Sequence, residues 1–148
     1  MKKFITILAV LLITASQTLL ANDGSLTPSS VKNSFETKYG NKINVAWSKI
    51  NDVYIGTFTD NDQHFELYYS ENGDLLGSAR YISPSYLPLL VSNAVNTRFP
   101  GFTITHLVEF TSETNGTSYY VRMNNDKMQQ DVRAYSDGKT EVLSKTKN

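Results

Sequence analysis

Cysteine is absent from all 148 residues of the sequence. The chain therefore has no disulfide framework, no thiol nucleophile and no cysteine-ligated metal site. It also lacks the cysteine to which a bacterial lipoprotein attaches its lipid. Without covalent cross-links, the stability of the folded chain has to come from a packed apolar core, which a chain of this length supplies.

Histidine is almost as scarce, with only His64 and His106. Neither shows the local pattern of a catalytic triad, and no Gly-x-Ser-x-Gly elbow or phosphate-binding glycine loop occurs. Asp60 and Asp62 resemble the start of a calcium loop, but Phe65 stands where that loop needs glycine, so a hairpin turn is favoured. We predict a protein that is not an enzyme and has no cofactor and no metal, with a hydrolase as the alternative.

An excess of positive charge is also missing. The 14 basic residues are balanced by 14 acidic ones, so the chain is formally neutral. Proteins that bind phosphate backbones need a basic stripe. We therefore predict no nucleic-acid partner.

The only long apolar segment lies at the N terminus. It follows Lys2 and Lys3, and Phe4 to Ile13 is apolar at all but one position. This layout is typical of a secretory signal peptide, and a helix that crosses a bilayer needs about 20 apolar residues. We predict a signal peptide over 1–21 and a mature domain over 22–148, periplasmic or secreted and without membrane contact. An anchor that is never cleaved is the alternative.

Apolar residues at four-residue spacing predict two helices. Val31, Phe35 and Tyr39 follow Thr27-Pro28, a hydroxyl cap with a first-turn proline, and Gly40 ends the helix. The second helix opens at Pro88 and carries the same stripe at Val91, Val95 and Phe99.

Alternating apolar residues predict four strands after each helix. Asn72-Gly73 and Asp137-Gly138 are hairpin-turn signals, because these residues tolerate positive φ. The predicted strands lie near 43–47, 54–58, 65–69, 75–81, 102–104, 119–123, 131–135 and 142–143.

The second half of the chain repeats the pattern of the first. The helix stripe recurs after 60 residues, whereas the strand and turn residues recur after 65, which places an insertion in a loop over 111–117. We predict a single domain made of two repeats, about 27–82 and 85–145. A chance coincidence of amphipathic patterns is the alternative.

Five short motifs follow one another in a recognisable order. They are Val31-x3-Phe35-x3-Tyr39-Gly40, Val45-Ala46-Trp47, Tyr54-x3-Phe58, Leu87-Pro88 and Arg98-Phe99-Pro100-Gly101. Together they resemble the PepSY-like domains, which include beta-lactamase-inhibitor-like exported bacterial proteins. The resemblance implies an α+β fold with two helices on one side of a curved antiparallel sheet. The beta-lactamase inhibitory protein is similar in plan and clamps its enzyme with the concave sheet face, but a shared fold does not transfer a partner.

The period-two alternation sorts the strand residues into two faces. One face is predicted to pack on the helices and the other to stay open. Tyrosine and arginine, which are enriched at protein-binding hot spots, fall on the open face. A plain solvated sheet face is the alternative. The candidate binding residues are Glu66, Tyr68, Tyr120, Arg122, Arg133 and Tyr135.

These observations together predict an exported, non-enzymatic binding protein. Its open sheet face would contact another protein in the manner of an enzyme inhibitor. The alternative is a periplasmic carrier that holds a small ligand in an aromatic concavity.

Overall fold

The computed structural model describes residues 26–148, so the predicted signal peptide over 1–21 lies outside the described residues. Helix α1 spans Ser29–Tyr39 and helix α2 spans Leu89–Arg98, preceded by a short 3-10 turn at Pro84–Tyr86. Within the described part of the chain, neither helix nor any other has the length and apolar character needed to cross a membrane.

Eight strands form one antiparallel sheet in which each strand pairs with the next along the chain. The predicted α+β class is thereby confirmed. The curvature of the sheet, and the origin of the two halves as copies of one unit, stay predictions. The strands are β1 (Ala46–Ile50), β2 (Val53–Asp60), β3 (Gln63–Tyr69), β4 (Leu75–Tyr81), β5 (Thr103–Ser112), β6 (Gly116–Asn124), β7 (Met128–Tyr135) and β8 (Thr140–Lys147).

The described residues divide into two compact units. The first unit comprises residues 26–80 and 111–116, and the second comprises residues 81–110 and 117–148. Each unit contains one of the two helices and its own apolar core.

In the first unit, α1 buries one apolar stripe against the strands. Val31 and Phe35 are enclosed in a core with Trp47, Phe58 and Leu67, as predicted. The Phe35 ring meets Trp47 and Phe58 edge-on, with 5.6 Å between ring centroids in both pairs. Burying a side chain of this size contributes about 1.5–3 kcal/mol, so these two positions hold the helix in place.

The second unit repeats this arrangement with smaller side chains. Val91 and Val95 of α2 are buried in a core that includes Met123 and Val132. The predicted packing of the second stripe is therefore confirmed.

The predicted cap of α1 is wrong. The N–H groups of Val31 and Lys32 both donate to the Pro28 carbonyl at 3.2 Å, so Pro28 occupies the cap position. Thr27 is buried one residue earlier, and no side chain of the described residues caps this helix.

The predicted loop over 111–117 is largely strand. Strand β5 continues to Ser112 and β6 starts at Gly116, so only residues 113–115 form the turn. Residues 111–112 and 116–117 therefore belong to strands, in which β-pairing satisfies backbone groups that a longer loop would leave to water.

The two predicted hairpin turns share one backbone geometry but differ in their surroundings. Gly73 has φ 86° and Gly138 has φ 85°, and each donates its N–H to the carbonyl three residues earlier. A Cβ added at Gly73 would lie 2.6 Å from the Ser30 carbonyl oxygen of α1, whereas a Cβ at Gly138 would first meet Leu90 Cγ at 3.4 Å. The first turn is therefore pressed against a helix backbone.

We predict that Gly73→Ala destabilises the protein more than Gly138→Ala. Both substitutions place alanine at positive φ, which costs about 1–2 kcal/mol. Only Gly73→Ala adds a collision with a backbone carbonyl, and overpacking of this kind costs a further 1–3 kcal/mol, roughly. Urea unfolding followed by circular dichroism measures both losses. Equal losses would show that the turn is not held against α1.

Tyr69 brings a buried hydroxyl into the first core. The residue is 1% exposed, and its hydroxyl has no hydrogen-bond partner among the described residues. Burial raises the pKa of Tyr69 to about 12, and the neighbouring Tyr39 adds to the rise. Folding therefore favours the neutral phenol over its anion.

This shift predicts a loss of stability at high pH. The folded-state pKa of Tyr69 lies above the unfolded value of about 10. Its contribution to the unfolding free energy is therefore complete below about pH 10 and is lost as the pH rises toward 12. We expect the unfolding free energy of the wild type to fall more steeply over this range than that of Tyr69→Phe. Urea titrations at stepped pH compare the two, and parallel curves would contradict the assignment.

Candidate binding face

Cross-strand pairing confirms which side chains of the first unit point away from α1. Tyr54 pairs with Tyr69 and Phe58 pairs with Phe65, and all four pack on the helix side. The residues between them therefore point to the opposite side, because side chains alternate along a strand. We name these residues the first-unit outer face: Ile55, Thr57, Glu66, Tyr68 and Ala79.

The second unit has a corresponding face. Tyr119, Val121 and Val132 pack in the core with α2, so their neighbours in β6 and β7 point away from it. We name these the second-unit outer face: Ser118, Tyr120, Arg122, Asp131, Arg133 and Tyr135. The six predicted binding residues thus divide, with Glu66 and Tyr68 in the first unit and the other four in the second.

The predicted solvent exposure is wrong for two of these residues. Tyr68 and Tyr120 are each 1% exposed, although they point away from the helices. The Tyr120 ring packs edge-on against Phe110, with 6.2 Å between centroids. Large side chains on the outer faces therefore have apolar neighbours, which alternation alone did not indicate. Arg122, Arg133, Tyr135 and Glu66 remain half-buried.

Glu66 is engaged within the first-unit outer face. Its Oε2 accepts a hydrogen bond from the Tyr68 hydroxyl, and its Oε1 lies 3.8 Å from His64 Nε2. The carboxylate is therefore held by its own unit. His64 belongs to β3 and its side chain is 41% exposed.

Arg122 is paired with a carboxylate of its own unit. Its Nε donates to Asp131 Oδ1 at 2.8 Å and its Nη2 donates to Oδ2 at 3.2 Å, which is a bidentate pair. The Ser144 hydroxyl donates to the same Oδ2 at 2.8 Å. Because both side chains of the ion pair are mostly shielded from water, this network holds β6, β7 and β8 together on the second-unit outer face.

Arg133 is arranged differently. Its guanidinium carbon lies 5.4 Å from the Tyr120 ring centroid and 4.7 Å from that of Tyr135. Glu141 stands directly opposite Arg133 in the β7–β8 register, yet its Oε2 accepts the Tyr135 hydroxyl at 3.0 Å. Arg133 is therefore held by two aromatic rings rather than by a carboxylate.

The tyrosines beside Arg133 remain neutral at physiological pH. Burial raises the pKa of Tyr120 and of Tyr135, and the charge of Arg133 partly opposes the rise in both. Both rings therefore present a neutral π face to the guanidinium.

The described residues hold no group of three or more histidine, aspartate or glutamate side chains that could bind a metal ion. Asp60 ends β2 and pairs with Gln63, and the two residues between them have positive φ. This is the two-residue hairpin turn that the sequence favoured over a calcium loop. His106 is exposed on β5.

Sequence reasoning did not assign roles to Asp131, Ser144 and Glu141, whose side chains form hydrogen bonds with residues of the second-unit outer face. A signal for Glu141 was present, since the Asp137-Gly138 turn fixes the β7–β8 register and places Glu141 opposite Arg133. Ser144 had no such signal, because the register shifts between Asp131 and Val132.

The fold is shared with solved structures from Bacteroides species. A DUF2874 family protein of Bacteroides ovatus superimposes with a TM-score of 0.72 and 18% identity, covering 84% of this chain and 89% of that one. A BLIP-like protein of Bacteroides fragilis gives a TM-score of 0.67 and 18% identity, with coverages of 84% and 89%. A candidate periplasmic protein of Bacteroides eggerthii gives 0.71 and 16% identity, with coverages of 82% and 88%.

The sequence itself matches no protein-family model and no curated protein. Likeness at these identities establishes the fold alone. The predicted beta-lactamase-inhibitor-like fold is confirmed, whereas membership of the PepSY family stays a prediction.

We predict that Asp131→Asn costs more stability than Asp137→Asn. The first change removes the charge of a shielded bidentate pair, and hydrogen bonds to charged groups contribute about 1.5–3 kcal/mol each. Asp137 pairs with Lys139 at 2.9 Å, but both side chains are largely exposed, and such pairs contribute about 0–1 kcal/mol. Urea unfolding measures both variants. A loss for Asp131→Asn no larger than for the control would contradict the role of the network.

Proposed function

We propose that this protein is an exported binding protein, not an enzyme, that contacts a partner protein through the outer faces of its sheet. The observation that carries the proposal is the grouping of tyrosine and arginine side chains on the second-unit outer face, because these residue types are enriched at protein-binding hot spots. The fold likeness to a BLIP-like protein adds the expectation that the partner is a protein and that binding is of the inhibitor type.

The outer faces differ from an ordinary solvated sheet face. A sheet that packs on one side only usually alternates apolar and polar residues, with polar residues on the wet side. Here Ile55, Tyr68 and Ala79 occupy the outer face of the first unit, and the outer Tyr120 packs on Phe110 in the second. These side chains are buried by the protein itself, so the surface left for a partner includes the half-buried Thr57, Arg133 and Tyr135.

Export is supported by the sequence and by a neighbour. The predicted signal peptide over 1–21 has the layout of a secretory leader. A protein of the same fold, from Bacteroides eggerthii, is a candidate periplasmic protein.

A non-enzymatic role is supported by the placement of the titratable residues. His64 lies beside Glu66, whose other oxygen accepts the Tyr68 hydroxyl. His106 is exposed on another strand. In the described residues, the acids of the outer faces are engaged in structural contacts with Arg122, Tyr68 or Tyr135.

A matched pair of substitutions tests the use of the face. Thr57 is half-buried on the first-unit outer face and Thr97 is exposed on α2. We expect Thr57→Arg to weaken capture of the partner from a cell-envelope extract by about tenfold or more, since a much larger side chain disrupts the close packing of an interface core. Thr97→Arg should capture the same partner as the wild type, and melting curves confirm that both variants fold.

Two outcomes would contradict the proposal. One is capture that Thr57→Arg leaves unchanged, and the other is the absence of any captured protein. A small molecule that raises the melting temperature, in a preparation that captures no protein, would instead indicate the carrier function.

A further inference from the structure

We propose that Arg133 is the point at which this protein recognises a carboxylate, the side chain of an aspartate or glutamate on the bound partner. This inference rests on the proposed function, because the carboxylate is assigned to a protein that covers the second-unit outer face. The assignment comes from the contrast between two arginines on neighbouring strands.

The guanidinium of Arg133 is held in place without an anion. It lies over the rings of Tyr120 and Tyr135, with 5.4 and 4.7 Å between the guanidinium carbon and the ring centroids. Cation–π contacts orient the planar group without using its N–H donors. A guanidinium fixed in this way loses little freedom when it binds.

One donor of Arg133 lacks an acceptor within the described part of the chain. Its Nε is enclosed and donates to no acceptor there. Glu141 faces it across the strand pair but accepts from Tyr135, and no ion pair joins Glu141 to Arg133. Because this Nε is enclosed, a carboxylate of a partner would pair with the two terminal nitrogens of the guanidinium.

Arg122 provides the internal comparison. Two of its nitrogens donate to Asp131, which also accepts the Ser144 hydroxyl. The same residue type on the same face is therefore paired with a carboxylate in one place and not in the other. This difference is not explained by burial, because both arginines are half-buried.

The chemistry of the site favours a carboxylate over a phosphate. The flat fork of a guanidinium matches the two oxygens of a carboxylate in a bidentate pair. Glu141 lies opposite in register, and its negative charge opposes a dianion more than a monoanion. A single negative charge on a planar group fits these surroundings.

The test uses the side-chain Nε–H signals of the two arginines in ¹⁵N-labelled protein. Acetate is the probe, acetamide is its uncharged counterpart, and inorganic phosphate is the competing anion, all at constant ionic strength. We expect acetate to shift the Arg133 signal to saturation and to leave the Arg122 signal in place. Arg133→Lys, which keeps the charge but loses the fork, assigns the signal.

The inference is overturned if acetate leaves Arg133 unmoved, if acetamide moves it equally, or if Arg122 responds in parallel. Tighter binding of phosphate than of acetate overturns the assignment to a carboxylate.

Partner capture separates this inference from the proposed function. If a partner is retained, Arg133→Lys should weaken its capture by about tenfold or more, as for a hot-spot arginine, while Thr97→Arg does not. Capture that is unaffected by Arg133→Lys overturns the inference and leaves the proposed function standing. Acetate binding at Arg133 without any captured protein overturns the proposed function instead.

Discussion

The whole structure depends on packing two short helices through two apolar pairs at four-residue spacing. Helix α1 has 11 residues and α2 has 10, and neither carries a side-chain cap or an acidic first turn. Helices of this length are marginal in isolation. Their stability therefore comes from Val31 and Phe35 in one unit and Val91 and Val95 in the other, each contributing about 1.5–3 kcal/mol by burial.

The packing of the helices determines which strand residues lie on the outer faces. Once the strand positions next to the helices are assigned to the two cores, the pleat sends every alternate residue to the opposite side. The side chains found there include Ile55, Tyr68 and Tyr120, which are apolar or aromatic and are buried. Helix packing does not require apolar residues at those positions, and Tyr120 is packed by Phe110 instead of by a helix.

The sequence was sufficient for whatever depends on local periodicity. Spacing predicted the stripes at Val31 and Val91, and alternation predicted the facing of Tyr68 and Arg133. It failed for exposure, because the burial of Tyr120 depends on Phe110 of another strand and not on its own neighbours. The prediction of a loop over 111–117 failed because the polar residues at the ends of a long hairpin have the same composition as a loop. The sequence also could not predict the hydrogen-bond partners of the two arginines, because partners across strands depend on the register.

The register of β7 and β8 determines which arginine of the second-unit outer face pairs with a carboxylate. Regular pairing from Arg133 opposite Glu141 would place Leu143 opposite Asp131, but the shift between Asp131 and Val132 brings Ser144 there instead. A bulge of this kind re-aims side chains at a sheet edge. The Asp131 carboxylate thereby accepts a hydrogen bond from the Ser144 hydroxyl in addition to those from Arg122. Glu141 lies on the unshifted side of the bulge and accepts a hydrogen bond from the Tyr135 hydroxyl, not from the Arg133 guanidinium. One irregularity in an edge strand thus accompanies both an arginine that pairs with a carboxylate and an arginine that lies over two tyrosine rings instead.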